Sequence, residues 1–234
     1  MTERLPLVLV PGLLCDIALW RHQRDHLGDL AAVTVADVSN ESTMAAMAQA
    51  VLAQAPAGRF ALAGLSMGGY VSLELMRRAP ERVARLALLD TSARPDTPEQ
   101  RSRRLAMVAQ VEQGDFQGVT SRLLPLFIHP DRLSDKALTA EITAMTKRVG
   151  KEAFLREQAA IMSRSDARAW LGEIRVPTLV LVGREDGLTP LEAHEELAAR
   201  IARAKLVTIE SCGHLSTMER PEAVTAVMRY WLQD

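Results

Sequence analysis

The sequence predicts an α/β fold, a six-stranded parallel sheet flanked by helices on both faces, and three observations carry that expectation. Short continuous apolar runs recur along the chain, as they do in strands buried on both faces. Helix-spaced stretches separate most of these runs, the alternation that parallel crossovers require. One run, Phe60-Ala61-Leu62-Ala63, leads directly into Gly64-Leu65-Ser66-Met67-Gly68 and then a helix-like stretch. That is the strand, turn and helix context in which a nucleophilic serine is presented at the end of a sheet.

Taken in order, the predicted strands are Leu7–Val10, Val33–Asp37, Phe60–Leu65, Val83–Leu89, Thr178–Val182 and Lys205–Ile209. Each is rich in Val, Leu, Ile or Ala and stops at a turn or polar residue. Between the second and third, Met44, Met47, Ala48, Val51 and Leu52 fall at helical spacing and form one stripe for the sheet. Thr189-Pro190-Leu191-Glu192 reads as a capping box with proline at the first helical position, opening a helix whose inward face is His194, Leu197, Ala198 and Ile201. A last helix begins near Pro221 and turns Val224, Val227, Met228 and Trp231 to the core.

The interval 94–171 breaks the rhythm. It has no strand candidate, and its helical stretches are interrupted at Gly114, Gly118, Pro125, Pro130 and Gly150. Its apolar residues, Leu123, Leu124, Leu126, Phe127, Ile128, Met145, Phe154 and Met162, exceed what a surface excursion needs unless they cover something. The chain therefore divides into a first core part, 1–93, a helical cap, 94–171, and a second core part, 172–234. Arg101-Ser102-Arg103-Arg104 reads as a solvated helix face within that cap.

Composition narrows the partners. A chain of 234 residues with 48% hydrophobic content supports one domain with a sizeable core. A formal charge of −1 and 4% aromatics give no basic, aromatic-laced surface for nucleic acid and no attraction to anionic lipid. The N-terminal apolar run is too short for a membrane span and lacks a cleavage-site pattern. Cys15 and Cys212 match neither a disulfide framework nor a zinc spacing. The expectation is a cytoplasmic protein acting on a small molecule without a metal or other cofactor. Its oligomeric state is open.

A serine hydroxyl is a poor nucleophile near neutral pH and needs a base, which in turn needs a group to fix its tautomer. Gly64 and Gly68 leave room for strand and helix to approach on either side of Ser66. Of the five histidines, His22 and His26 are expected on the surface, His194 in the core and His129 in the cap. His214, in Cys212-Gly213-His214 after the last strand, is the candidate base. Asp186, in Gly183-Arg184-Glu185-Asp186-Gly187 after the fifth strand, is the candidate acid. Asp90, ending the fourth strand, is a second possibility, its alternative role being a turn cap. Oxyanion donors are expected from the amides of Met67, at a helix N-terminus, and Leu13, in the glycine-containing loop after the first strand. Leu14, Leu188 and Leu215 are the expected apolar neighbours of the substrate.

Through Gly64–Gly69, Gly183–Asp186 and Gly213-His214 the chain resembles the α/β-hydrolase superfamily over all but the cap. The resemblance implies a serine hydrolase fold in which the first strand here corresponds to the superfamily's third. Pro11 stands where those proteins commonly carry histidine before the oxyanion glycine. The stretch Gly12-Leu13-Leu14-Cys15-Asp16, with Trp20 and Gln23, is similar to enol-lactonases. Three function classes follow: hydrolysis of an ester, thioester or lactone; a triad-based lyase or C–C hydrolase; and a non-catalytic ligand-binding member of the fold.

Overall fold

The strands β1 (Leu5–Val10), β2 (Ala31–Val35), β3 (Phe60–Leu65), β4 (Val83–Leu89), β5 (Thr178–Gly183) and β6 (Ala204–Ile209) are drawn from a computed structural model describing residues 4–119 and 122–234. All neighbours pair in parallel, in the order β2-β1-β3-β4-β5-β6. The helices are α1 (Arg21–His26), α2 (Met44–Gln54), α3 (Met67–Arg78), α4 (Pro98–Glu112), α5 (Lys136–Met162), α6 (Leu191–Arg200), α7 (Ser216–Glu219) and α8 (Pro221–Gln233).

Alternation along the strands divides the core into two layers. Val8, Val10, Leu62, Leu86, Leu88 and Val180 face Met47, Val51, Val71, Leu75 and Leu197 from α2, α3 and α6. Leu7, Leu9, Ala61, Ala63, Leu89 and Leu181 face Trp20, Leu27, Met228 and Trp231 on the other side. The central strands β3 and β5 are buried at every position, which is why they read as unbroken apolar runs. Gln23 is a polar exception in the second layer, its amide donating to Thr217 O, Pro221 O and Thr225 Oγ1 and so tying α1 to the C-terminal helices.

Register fixes where the loops emerge. Leu65 lies opposite Leu89, Leu89 opposite Leu181 and Gly183 opposite Ile209. The segments after β3, β4, β5 and β6 therefore leave along one edge of the sheet, the side where open parallel sheets bind ligands.

Several expectations need correction. The second strand begins two residues earlier than the apolar run suggests, because Ala31 already pairs with Leu5. It ends before Asp37, whose carboxylate turns back to the Ser39 amide. No capping box forms at 189–192: α6 starts at Leu191 with Pro190 as its cap residue, since the Thr189 hydroxyl is engaged by Asp186. His22 is half-buried against Thr225 Oγ1 at 2.8 Å, while His26 is exposed.

Among the described residues, 94–171 contains α4, α5 and short 3₁₀ turns but no strand. α5 bends at Gly150, whose φ of 82° interrupts the helix. Leu124, Ile128, Leu138, Ile142 and Met145 join the second core layer, whereas Leu123 and Leu126 are exposed. Val111 and Phe154 pack on Leu14 with Leu13 and Phe116. No described helix is long and apolar enough to cross a membrane.

Candidate active site

The turn at Ser66 is built by close backbone approach. Ser66 has φ 55° and ψ −116°, a left-sided conformation held by its own N–H to Leu89 O at 3.0 Å and by the Thr91 hydroxyl on its carbonyl at 2.8 Å. A Cβ on Gly64 would run into the Gly68 backbone, and a Cβ on Gly68 would run into the Val10 carbonyl. Neither obstacle is a movable side chain. Gly68→Ala should therefore destabilise the fold by about 3 kcal/mol, read from urea unfolding. A cost under about 0.5 kcal/mol would contradict the packing described.

The loops after β5 and β6 bring Asp186 and His214 to this serine. Ser66 Oγ lies 2.9 Å from His214 Nε2, and His214 Nδ1 lies 2.8 Å from Asp186 Oδ2. The carboxylate partner assigns the proton to Nδ1, leaving Nε2 to accept from the serine. Asp186 also accepts the Leu188 and Thr189 amides at 2.9 and 3.0 Å and the Thr189 hydroxyl at 2.6 Å. Burial pushes its carboxyl up, but the imidazole charge and these hydrogen bonds outweigh it and hold the group below its usual range. For His214 burial works downward, and the charge and hydrogen bond of Asp186 more than reverse it, leaving the imidazole above its ordinary value.

Neither the Leu13 nor the Met67 amide donates to an acceptor among the described residues. Gly12 abuts the serine, the position a Cβ would take lying 3.4 Å from Ser66 Cβ. The Leu14 amide, by contrast, is engaged by Glu157 Oε2 at 2.9 Å. Leu14 and Leu215 are buried, and Leu188 is 40% exposed, less enclosed than the sequence suggested.

The competing residues sort by their partners. Asp90 is fully buried with φ 45°, accepts the Gly183 amide at 2.9 Å and bonds the Ser216 hydroxyl. Among the described residues it makes no hydrogen bond to the imidazole or to the Thr91-Ser92 amides, and it braces the two loops that carry Asp186 and His214. Burial, then the Asp186 charge, holds its carboxyl well above the usual range. His194 accepts the Thr91 amide at 2.8 Å, and burial pushes it down to about 4, so it stays neutral. Glu185 points away, to the Cys212 amide. Arg94 is paired with Glu196, and Arg148 with Asp16 and Glu141.

Glu219 escaped the sequence reading. Its buried carboxyl accepts the amides of His129, Gly213 and Leu215 at 2.7, 3.1 and 3.2 Å, fastening the histidine loop to the 94–171 insertion. The Phe127 carbonyl completes the seam, accepting from His214 N at 2.9 Å. Glu157 was also missed, although a carboxylate on the apolar stripe of Phe154 and Ile161 was a legible anomaly. A recess lined by Tyr70, Ser92, Arg164 and Trp170 includes none of the serine, imidazole and carboxylate described above. Arg164 there is committed to Asp96 and the Tyr70 ring. No group of three or more His, Cys, Asp or Glu among the described residues is arranged to hold a metal.

A parallel sheet presenting serine, acid and histidine, in that chain order, on loops at one edge is the architecture of α/β hydrolases. The chain belongs to that family: the alpha/beta hydrolase fold model matches residues 6–221. It is an enzyme of the ester-hydrolase kind. It is 31% identical over 192 residues to a pimeloyl-[acyl-carrier protein] methyl ester esterase of Aromatoleum aromaticum, covering 77% of this chain and 76% of that one. A thermophilic esterase from Thermogutta terrifontis superposes with a TM-score of 0.88 at 32% identity, covering 98% of this chain and 89% of the other. The enol-lactonase of Burkholderia xenovorans gives 0.88 at 25% identity, covering 99% and 93%.

Proposed function

We propose that the protein is a serine hydrolase that cleaves a carboxylic ester, thioester or lactone of a small, largely apolar substrate through an acyl-enzyme on Ser66. The observation that carries the reading is the pair of hydrogen bonds, 2.9 Å from Ser66 Oγ to His214 Nε2 and 2.8 Å from His214 Nδ1 to Asp186. In the reaction His214 takes the serine proton as Oγ attacks the carbonyl carbon, and Asp186 holds the imidazolium. The amides of Leu13 and Met67 receive the oxyanion. His214 returns the proton to the leaving oxygen or sulfur, and a water deprotonated by the same imidazole then releases the acyl group.

The 94–171 insertion acts as a cap that sets acyl preference, with Phe116 and Phe154 packed beside Leu13 and Leu14 supporting an apolar wall. The relatives named as esterases and as an enol-lactonase support the ester and lactone ends of the substrate range. Two free thiols, at Cys15 and Cys212, fit a reducing, cytoplasmic setting.

Stopped-flow release of p-nitrophenol from p-nitrophenyl esters of graded acyl length tests the reading. The expected result is a burst of about one equivalent per chain followed by slower turnover. Absence of turnover on ester, thioester and lactone panels, with intact folding, overturns it.

A further inference from the structure

Leu14 is a leucine in a conformation that tight turns usually give to glycine. The Cys15 amide closes onto the Gly12 carbonyl at 3.1 Å, making a four-residue turn whose third residue, Leu14, has φ 58°. A left-handed leucine is strained and persists only when its surroundings hold it. Here the peptide between Leu13 and Leu14 is held at both ends. Its N–H donates to Glu157 Oε2 at 2.9 Å, and its carbonyl accepts from Cys15 Sγ at 3.4 Å. Glu157 comes from α5, 143 residues away in the chain, and is 1% exposed.

We propose that Glu157 is a positioning residue of the oxyanion loop, its carboxyl fixing the Leu14 peptide so that the neighbouring Leu13 amide stays aimed beside Ser66. The proposal rests on the serine-hydrolase reading and adds to it a control on the rate of the chemical step. The charge state of Glu157 matters because the group stands one residue from an amide that receives negative charge. Burial pushes its carboxyl up to about 8, so near neutral pH it is uncharged and still accepts the Leu14 N–H through its carbonyl oxygen. Above that value it becomes an anion close to the developing oxyanion and opposes it.

The groups that bear on this titration are few. Asp37, from the segment after β2, raises the Glu157 value, and Arg156 on α5 lowers it. The Cys15 thiol on the turn itself is pushed far above its ordinary range, by burial and by Glu157, and stays protonated. Asp16 is neutralised by Arg148, and Arg104, reaching Gln158 from α4, is paired with Asp96.

The test is kcat and KM for a p-nitrophenyl ester between pH 6 and 9.5, corrected for spontaneous hydrolysis, in the wild type, Glu157→Gln and Glu157→Leu. Wild-type kcat should decline as pH rises through about 8. Glu157→Gln, which keeps an acceptor but cannot ionise, should hold the neutral-pH rate and lose that decline. Glu157→Leu, which removes the acceptor, should lower kcat about 10-fold or more at all pH values with KM changed less than about 2-fold, a fraction of the loss seen when an oxyanion donor is deleted outright. Circular dichroism and thermal melting establish that each variant is folded, and if Glu157→Leu is not, the Glu157→Gln profile decides. A decline that persists in Glu157→Gln, a flat wild-type profile, or a folded Glu157→Leu with unchanged kcat overturns the proposal. A wild type that turns over no ester overturns the hydrolase reading instead.

Discussion

Ser66→Ala should lower kcat about 10⁶-fold while leaving the fold in place. The substitution removes only Oγ and its 2.9 Å bond to His214. The strain of the turn is in the backbone, and an alanine at φ 55° suffers it no more than a serine does. The Leu89 and Thr91 hydrogen bonds that hold the turn go to Ser66 main-chain atoms and survive the change. Melting temperature should therefore shift little, and labelling by a fluorophosphonate should vanish. The residual rate would come from the oxyanion amides and from substrate positioning, worth about 10³–10⁴ over water in a comparable triad. A Ser66→Ala protein retaining a tenth of its esterase activity would remove the serine from the mechanism.

Asp186→Asn should cost about 10⁴-fold in kcat. The carboxylate keeps the imidazole proton on Nδ1, whereas an asparagine turned to donate its amide would make Nδ1 the acceptor and move the proton to Nε2. In that tautomer His214 cannot take the serine proton. The Thr189 hydroxyl, 3.4 Å from Nδ1, already donates to Asp186, and Asp90 is held by Gly183 and Ser216, so neither takes over. The pH dependence separates this account from simple loss of structure. Asp186 is the main influence raising His214, so the wild type should lose activity on acidification with an apparent value above the ordinary imidazole figure of about 6.5. Once the carboxylate is gone, that acid limb should move to lower pH. A rate within 10-fold of wild type would show that another group orients the histidine.

The sheet was legible in the sequence because four of its strands are central and buried on both faces, and burial writes itself as an unbroken apolar run. Edges were less sharp: β2 began two residues early because pairing with β1, rather than hydrophobicity, sets its start. Ser66, Asp186 and His214 were readable because each follows a strand in a glycine-bearing turn, and the parallel register brings those turns together. What stayed hidden is second-hand chemistry. Thr189 looked like a helix cap until the acid took its hydroxyl, and nothing local marked Glu219, at the end of α7, as the carboxyl on which three amides converge. No local pattern encodes a partner contributed by a segment 90 residues away. Glu157 was missed as well, although its place on an apolar stripe could have marked it as a buried acid without naming the amide it serves.

The Glu219 clasp bears on how such an enzyme acquires new substrates. One carboxyl secures both the loop that delivers the imidazole and residue 129 of the insertion. Exchanges elsewhere in the insertion, at exposed Leu123 or Leu126 for example, leave this clasp untouched and so should not disturb the base. Exchanges that shift 127–129 are not, because displacement there is passed directly to His214. Diversification of substrate range is thus channelled away from that stretch, and a library randomised at 127–129 should lose turnover on every ester at once rather than trade one for another.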